Sequence, residues 1–356
     1  MVVGMRFFEF IFELLSPAIV TKRLTDRGFH LPLDHIPPMT LRGAILTAFF
    51  REGRVDKNFL SKEVRSPELI VSPAYPFVEG RKSYPCHPFA YKCKVPHGDS
   101  LEVINYATKI IHDLEAEREP QIEFTCSRGH STIEGLHPKP VIPFGPNLKE
   151  VRILFHEAIS VGINKHKASS ERNMLFDYEA IAAGQKFWAT LALPNEKLEI
   201  NEGFEFFIGR GISRGFGRSR VTSVKEVNLN EEVEHVKNSI KNKAIVLYAL
   251  SPLLSSRDVI SSPYPTEMCS GKLLVDRVYG RMTSLHCGWD MMSNKERPTL
   301  KASNPGSVIV ARVSNGLSLE EIAKLAFLGT VEWAAGFAIV GVNMLTPLSS
   351  HVMGGR

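Results

Sequence analysis

Apolar and polar residues alternate at the start of the chain with the period of a β-strand. Large apolar residues share one parity, at Phe8, Phe10, Phe12 and Leu14. Glu9 and Glu13 fall on the other parity. Because successive side chains of a strand point to opposite faces of its sheet, this pattern predicts a strand with one buried face over residues 5–15. The two glutamates, and the lack of a basic start or a small-residue cleavage site, argue against a signal peptide.

Helices are expected where apolar residues recur every three to four positions. The first such stripe follows Thr40, an N-cap residue, and the last follows a capping box of Ser318 and Glu321. Further helices are predicted at residues 100–118 with Ser100 as the cap, at 177–184 with Gly184 closing the helix, and at 230–242. Strands are predicted at residues 187–193, 221–227, 244–250, 308–313 and 329–342.

Long irregular segments separate these elements. Residues 66–97 and 120–146 are rich in Pro, Gly, Tyr and His and have no sustained period, so they predict an insertion at about residues 54–150. After residue 230 the chain repeats the plan of its first half in compressed form. We therefore expect an α+β protein of two related units, residues 1–230 and 231–356.

Composition narrows the class of protein without naming a partner. A chain of 356 residues with 44% hydrophobic and 23% charged residues is globular, and a net charge of +5 is too small to indicate a ligand. Five cysteines, widely spaced, argue against a disulfide framework and for a reducing compartment. The most apolar late stretch is shorter than the roughly 20 residues that span a bilayer. We expect a cytoplasmic protein without a membrane segment.

The densest chemical signal is GRGISRGFGRSR at residues 209–220, with four glycines and four arginines. Glycine permits positive φ and a bare backbone, arginine binds phosphate with a bidentate fork, and Phe216 offers a face on which a base can stack. The spacing fits neither a Walker A loop nor the dinucleotide fingerprint, because Gly215 falls one residue too far along. The run predicts phosphodiester binding. The alternative is a glycine-rich hairpin with solvated arginines.

The glycine-rich loop and several other stretches of the chain resemble those of a known family. The loop at 209–220 and the strand after it resemble the glycine-rich loop of the RAMP superfamily, the RNA-binding subunits of CRISPR effector complexes. Other matching stretches are LSP at 15–17, IPPMTLRGA at 36–44, FDYEAIAAGQKF at 176–187, GWD at 288–290, RP at 297–298 and NPGSV at 304–308. The stretches after residue 280 resemble the two-domain subunits of type III systems. Pro38 stands where the family usually has Gly, and residues 329–341 resemble a second glycine loop without arginines.

The resemblance implies two ferredoxin-like (RRM-like) domains with long loop insertions. It implies a non-catalytic structural subunit in antiviral defence that grips the repeat-derived 5′ handle of the guide RNA. The implied partners are guide RNA, the large polymerase-like subunit, the backbone RAMP subunits and, indirectly, target RNA. The implied RNA contacts are Gly209, Arg210, Gly211, Ser213, Arg214, Gly215, Phe216, Gly217, Arg218, Arg220 and Arg42. Lys22 and Arg23 join them because they are basic and near the first strand.

Two Cys/His pairs form a candidate metal site. Cys93 and His97, and likewise Cys126 and His130, are separated by three residues and flank the predicted helix at 100–118. Closing both loops on one ion would give a tetrahedral S₂N₂ site, which suits structural Zn²⁺. The alternative is surface cysteines in mobile loops.

An enzyme remains the rival function. His156 or His166 could act as the general base for attack of a 2′-hydroxyl, and Asp177 could assist target cutting, as in RAMP endoribonucleases. The spacing of these residues predicts no mutual geometry. A general RNA chaperone is the third alternative.

The core is expected to include the three tryptophans, Trp188, Trp289 and Trp333, because each lies in an apolar, strand-like stretch.

Overall fold

The fold is described here from a computed structural model for residues 5–23, 30–97, 102–115, 118–119, 125–144, 147–164, 166–194, 198–239, 244–254, 264–268, 271–314 and 318–348. The first strands are β1 Arg6–Leu14, β2 Thr21–Arg23, β3 His30–Pro32, β4 Ile70–Val71, β5 Tyr75–Val78, β6 Arg81–Lys82, β7 Tyr84–Pro85, β8 Ala90–Cys93 and β9 Val103–Asn105. They are followed by β10 Ile133–Gly135, β11 Pro140–Phe144, β12 Asn147–Glu150, β13 Phe155–Asn164, β14 Ser169–Ile181, β15 Lys186–Leu193, β16 Glu205–Phe207 and β17 Arg218–Glu226. The helices in this part are α1 Pro38–Arg51, α2 Lys57–Arg65 and α3 Ala107–Glu115.

One antiparallel sheet organises the first half of the chain. Its strand order is β16-β17-β1-β15-β5-β6, and β4 also pairs with β15. Phe8, Phe10, Phe12 and Leu14 of β1 are buried as predicted, and Phe12 stacks on Phe187 of β15 with ring centroids 5.9 Å apart. Helix α1 covers this face with Leu41, Ile45 and Phe49, all fully buried. β1 is therefore both the central strand and the middle of the core.

Helix α1 begins three residues earlier than predicted. Its N-cap is Pro37, which makes no side-chain cap, and Pro38 occupies the first helical position. Proline suits this place because its fixed φ is already helical and its missing N–H would have no partner there. The prediction of Thr40 as the cap was wrong, although the apolar stripe behind it is correct.

The predicted helix at 177–184 is a strand instead. Residues 155–164 and 169–181 form a long two-stranded hairpin, β13–β14, in which Asp177 lies opposite Ile159 and Tyr178 opposite Ala158. Cross-strand pairing along a whole hairpin outweighs the weak local preference for helix in a short stretch. The hairpin projects Ile159 and Ile163, 71% and 70% exposed, toward solvent.

The insertion has more order than its composition predicts. Its predicted start near residue 54 was wrong, because β4, β5 and β6 belong to the first sheet and only the chain after residue 82 lies outside that sheet. Two three-stranded sheets form in this later part, with orders β10-β8-β9 and β12-β11-β7. The predicted helix at 100–118 is confirmed only in part, because β9 precedes α3 and the side chain of Asn105 accepts a hydrogen bond from the N–H of Ala107 at 3.0 Å. Ser100, the predicted cap, lies outside the described residues.

The second half of the chain builds a separate sheet. Its elements are α4 Leu229–Ser239, β18 Ala244–Ala249, β19 Glu267–Met268, β20 Leu273–Tyr279, β21 Met282–His286, β22 Trp289–Asp290, β23 Lys295–Glu296, β24 Thr299–Ser303, β25 Val308–Val313, α5 Leu319–Leu328, β26 Thr330–Ala334, β27 Phe337–Val342 and β28 Leu345–Pro347. The sheet order is β19-β20-β25-β18-β28. The capping box before α5 is confirmed, because Ser318 accepts from the N–H of Glu321 and Glu321 accepts from the N–H of Ser318. The α+β class is confirmed.

The two sheets are joined by an apolar contact and not by one continuous core. Phe7 of β1 meets Phe327 of α5 edge to face, with ring centroids 6.0 Å apart. Gly341 of β27 lies against the carbonyl of Val71 and the ring of Pro38, where a larger residue would collide. The residues 329–341, which resemble a second glycine loop, thus form the hairpin β26–β27 and pack on the first half.

Only one of the three tryptophans is in the core. Trp188 is 6% exposed and donates its indole N–H to the carbonyl of Ser83 at 2.8 Å. Trp289 and Trp333 are each 54% exposed, so their predicted burial was wrong. Both lie on two-stranded hairpins, β22–β23 and β26–β27, on a side with no covering layer among the described residues. No helix in the described ranges is long and apolar enough to cross a membrane.

Candidate nucleic-acid interface

The glycine-rich loop connects β16 to β17 in a conformation that only glycine tolerates. Gly211 and Gly215, with φ of 75° and 90°, bracket one turn of 3₁₀ helix over Ile212–Arg214. Gly209 and Gly217 also have positive φ, and a Cβ at these positions would collide with the carbonyl oxygens of Ile19 and Ile208. Close backbone contacts therefore require glycine at residues 209 and 217, and positive φ favours it at residues 211 and 215.

The loop is fixed to the segment that follows β1. The N–H of Arg210 donates to the carbonyl of Ile19 at 3.1 Å, and that of Gly217 donates to the carbonyl of Pro17 at 2.8 Å. The hydroxyl of Ser16 accepts from the N–H of Arg218 at 2.9 Å. These bonds hold the loop at the end of the two central strands, so its side chains start from a defined frame.

Arg210, Ser213 and Arg214 are exposed at the top of this loop. The guanidinium of Arg214 lies 4.7 Å from the ring centroid of Tyr178 on β14 and 5.8 Å from that of Phe216. Cation–π contacts of this kind hold the guanidinium in place while leaving its edge free to donate. Phe216 itself is half-buried, so only part of its ring is available for stacking.

Arg218 and Arg220 lie beyond the loop, on β17, and share one carboxylate. Glu205 of β16 accepts from Arg218 at 2.9 and 3.2 Å and from Arg220 at 2.9 and 2.6 Å. The hydrogen bonds from Arg218 and then Arg220 lower the pKa of Glu205. The sequence did not single out Glu205, and its position opposite Arg220 in the register of β16 and β17 is what reveals it.

Arg42 is not at this surface, and its prediction as an RNA contact was wrong. It is 6% exposed and binds Glu63 of α2 at 2.6 Å and the carbonyl of Leu69 at 2.8 Å. Burial lowers the pKa of Arg42, while Glu63 favours its charged form. Lys22 is half-buried on β2 and donates to the hydroxyl of Thr283 at 2.6 Å, and Arg23 follows it on the same strand.

The three candidate catalytic residues are not brought together. His156 and Asp177 belong to the same hairpin, but the register of β13 and β14 places them on opposite faces. His166 lies in the turn at the tip of the hairpin, beyond Asn164, and the strand from His156 to Asn164 spans roughly 26 Å at 3.3 Å per residue. His156 shares its face with Tyr178, the residue that Arg214 contacts.

Comparison with solved structures identifies the fold. A chain of the type III-B Cmr-beta complex bound to cognate target RNA aligns over 85% of this chain and 86% of its own, with 12% identity and a TM-score of 0.50. The same complex with AMPPnP gives the same values. This chain shares the fold of that chain of the type III-B complex. The resemblance predicted from the sequence is thereby confirmed for the fold.

One further solved structure aligns over more of this chain but with a lower TM-score. A chain of the Csm3-Csm4 subcomplex of a type III-A system aligns over 96% of this chain and 99% of its own, with 13% identity and a TM-score of 0.40, too low to bear on the site. No family model matches the sequence, and no curated protein does.

The insertion brings the two Cys/His pairs together. The ligand atoms of Cys93, His97, Cys126 and His130 all lie within 4.8 Å of one another. Sγ of Cys93 is 3.7 Å from Nδ1 of His130, and Sγ of Cys126 is 3.5 Å from Nε2 of His97. A tetrahedral zinc with Zn–S of about 2.3 Å and Zn–N of about 2.0–2.1 Å places such atoms about 3.5 Å apart. The donor set and its spacing fit one metal ion.

A carboxylate supports this cluster from outside. Glu102 lies 3.1 Å from Nδ1 of His97 and accepts from the N–H and hydroxyl of Ser127 at 3.2 and 2.8 Å. It thus directs Nε2 of His97 toward the sulfurs and ties the two loops together. Burial opposes ionisation of Cys126, but hydrogen bonds from the N–H groups of Arg128 and His130 outweigh it and lower the pKa of the thiol.

Two further histidines, His87 and His137, are buried within the insertion. Burial lowers the pKa of His87 to about 3 and that of His137 to about 4. Nδ1 of His137 donates to the carbonyl of Cys86 at 2.7 Å, whereas Nε2 of each ring has no hydrogen-bond partner among the described residues. His137 lies against Gly306 of the second half, and His87 lies beside Phe89, whose apolar cluster includes Tyr248 of the second half.

Proposed function

We propose that this chain is a guide-RNA-binding structural subunit of a type III CRISPR effector complex in antiviral defence, and that it grips the repeat-derived 5′ handle. The observation that carries the proposal is the rigid glycine loop, which presents Arg210 and Arg214 outward at the end of the central strands. The RAMP-like fold supports it, since the Cmr-beta chain of similar fold belongs to a complex solved with target RNA.

The chemistry of the loop suits RNA better than a small anion. Arg210 and Arg214 supply charged N–H donors for backbone phosphates, and Tyr178 and Phe216 supply aromatic surface beside them. Neutralising several phosphates releases counterions, so binding should weaken steeply with salt. The 5′ handle is the expected ligand because the resemblance to the family implies it.

We further propose two ferredoxin-like domains, residues 1–230 and 231–356. The first sheet contains the order β17-β1-β15-β5 and the second the order β28-β18-β25-β20. Numbered within each unit, both read 4-1-3-2, the antiparallel order of a ferredoxin-like fold. The arginine-rich loop precedes β17 in the first unit, and the hairpin β26–β27 precedes β28 in the second. The second unit then serves protein contact.

The partners we propose are the large polymerase-like subunit and the backbone RAMP subunits, with target RNA contacted indirectly. Exposed apolar residues on two hairpins support this part of the proposal. Ile159 and Ile163 lie on β13, and Met291, 83% exposed, lies beside Trp289 in the turn between β22 and β23. Apolar side chains presented in this way on a soluble fold are typical of interaction surfaces.

The test measures binding of a labelled handle RNA to the purified chain by fluorescence anisotropy. Arg210→Ala with Arg214→Ala should weaken binding at least tenfold, since each replacement removes a charge-assisted contact. A matched control replaces Arg277 and Arg312, two exposed arginines of the second sheet, and should stay within twofold of the wild type. Equal loss in both double variants, or equal binding of scrambled RNA by the wild type, would overturn the guide-RNA role.

We propose a binding subunit in preference to an endoribonuclease, because His156 and Asp177 lie on opposite hairpin faces and His166 lies at the tip. His156 is the candidate that an enzyme would use, since it shares the face that contacts the loop. Incubation with repeat-containing RNA, with and without Mg²⁺, distinguishes a binding subunit from an endoribonuclease. A site-specific cut that disappears in His156→Ala, His166→Ala or Asp177→Ala would establish the enzyme instead.

We also propose that Cys93, His97, Cys126 and His130 bind one structural zinc ion. Zinc would close the loops on either side of α3 and fix the insertion, whose sheets are too small to bury a large core. The support is the S₂N₂ donor set at tetrahedral spacing and the carboxylate of Glu102 behind His97.

A further inference from the structure

Two arginines of β17 converge on a single carboxylate beside the loop. Arg218 and Arg220 are two residues apart on the strand, so their side chains project from the same face of the sheet. Glu205 is the register partner of Arg220 on the neighbouring strand and receives four N–H groups from the two guanidiniums. All three side chains are partly exposed, at 51%, 47% and 30% for Arg218, Arg220 and Glu205.

We propose that this three-residue cluster is a binding site for one phosphodiester group of RNA, and that Glu205 occupies it until RNA displaces the carboxylate. The inference rests on the proposed RNA-binding function. A carboxylate and a phosphodiester each carry one negative charge and offer paired oxygens to a guanidinium fork. Two guanidiniums that bind the carboxylate oxygens of Glu205 are therefore also placed to bind two oxygens of a phosphodiester.

Charge does not oppose the exchange of one anion for the other. Arg218 and Arg220 together carry +2, and either Glu205 or a bound phosphodiester reduces this to +1. Ion pairs at an exposed surface contribute little to stability, so displacing this one costs the protein little. The partly exposed carboxylate can turn into water when the phosphate enters. The site therefore stays closed to weakly bound anions and opens to RNA held elsewhere by Arg214.

The surroundings extend the site beyond a single charge cluster. Phe207 is the register partner of Arg218 and lies on the same face. The guanidinium of Arg51, on α1, lies 5.7 Å from the ring centroid of Phe207. A third cation and an aromatic surface thus adjoin the two arginines, which suits a nucleotide whose phosphate is bound by Arg218 and Arg220.

Glu205→Gln tests the proposal, because it keeps the shape of the side chain and removes the competing charge. We expect it to tighten binding of single-stranded RNA about fivefold at low salt. The slope of log K against log salt should stay as in the wild type, because the phosphate enters the site in both proteins and the same number of phosphates is neutralised. The gain should vanish when Arg218 and Arg220 are also replaced by alanine. Unchanged or weaker binding by Glu205→Gln, with an unchanged melting temperature, would overturn the proposal.

Two variants control for a general change in charge. Glu13→Gln removes a carboxylate opposite Arg220 on the other neighbouring strand, and Glu226→Gln removes a two-bond pair with Arg6 at the far end of β17. Neither should reach half of the gain of Glu205→Gln, and a gain of equal size in Glu13→Gln would mean that any carboxylate near Arg220 opposes RNA, and that Glu205 does not specifically occupy a phosphate site.

Using both handle RNA and oligo(U) separates this proposal from the proposed function. A fivefold gain on oligo(U) without any preference for handle RNA would support the phosphate site and remove the guide-RNA role. Preference for handle RNA with no gain in Glu205→Gln would do the reverse. If the folded wild type and Glu205→Gln bind neither RNA, both proposals fail.

Discussion

Arg42 and Glu63 form an ion pair in the interior of the first half, with Nη2 of Arg42 2.6 Å from Oε2 of Glu63. The side chains are 7% and 1% exposed. Oε2 of Glu63 also accepts from the N–H of Leu69 at 3.2 Å, so the pair fixes the turn from α2 to β4 against α1. Arginine in this position joins elements of the fold and does not reach a ligand.

Arg42→Ala should therefore destabilise the protein without changing its RNA affinity. Removing one partner leaves the Glu63 charge buried and uncompensated, which costs about 3–5 kcal/mol. Urea denaturation measures the loss, and anisotropy below the unfolding transition measures RNA binding. Arg42→Lys keeps the charge but loses the bidentate geometry, so its stability should lie between those of the wild type and Arg42→Ala. If folded Arg42→Ala loses RNA as severely as Arg210→Ala with Arg214→Ala, Arg42 is an RNA contact after all.

The glycines of the loop should differ in their tolerance of alanine. Gly215→Ala meets only the strain of positive φ, about 1–2 kcal/mol, because nothing lies within 4 Å of the added Cβ. Gly217→Ala has the same φ penalty and a collision with the carbonyl of Ile208, so we expect at least twice that loss. Thermal and urea unfolding of the two variants give the comparison. Equal losses would mean that the loop moves freely, against the anchored geometry described above.

Stability should fall as the pH falls from about 6.5 toward 4. His87 and His137 have folded pKa values of about 3 and about 4, below their unfolded value near 6.5, so the unfolded chain binds more protons in this window. Keeping either histidine neutral in the folded protein then lowers the free energy of unfolding by up to about 1.4 kcal/mol for each pH unit. The cost of His137 stops growing below pH 4, and that of His87 below pH 3.

Variants assign that pH dependence. His87→Leu should reduce the slope of unfolding free energy against pH, measured by urea denaturation between pH 4 and pH 6.5. His112→Gln, at an exposed position of α3, is the matched control and should leave the slope as it is. A wild-type slope no steeper than that of His87→Leu would show that burial of His87 does not control acid stability.

Zinc removal should loosen the insertion and spare the RNA loop. We expect one zinc per chain by elemental analysis, and a chelator should lower the melting temperature while RNA affinity stays within a factor of two. Cys93→Ser with Cys126→Ser should lose the metal, whereas Cys287→Ser, a buried cysteine outside the cluster, should keep it. A well-folded wild type that holds no stoichiometric zinc when supplied with it contradicts the proposal.

Several elements of the fold could be predicted because they are formed by residues that are adjacent in sequence. The alternation of β1 predicts its buried face because a two-residue period admits only one arrangement against a core. The capping box before α5 and the strand at 308–313 appear where predicted, since the residues that form them are adjacent in sequence. The helix predicted at 177–184 was wrong because its partner strand lies about 20 residues earlier and the pairing decides its conformation.

The sequence by itself determined which chemistry this chain carries: a basic glycine loop, two Cys/His pairs and the motifs of a RAMP-like fold. Only the tertiary structure decided where each group points. It turned Arg42 inward to Glu63, placed Trp289 and Trp333 at the surface, separated His156 from Asp177, and set Glu205 between Arg218 and Arg220. The physical reason is that composition and spacing act along the chain, whereas burial and ion pairing depend on residues brought together from distant strands.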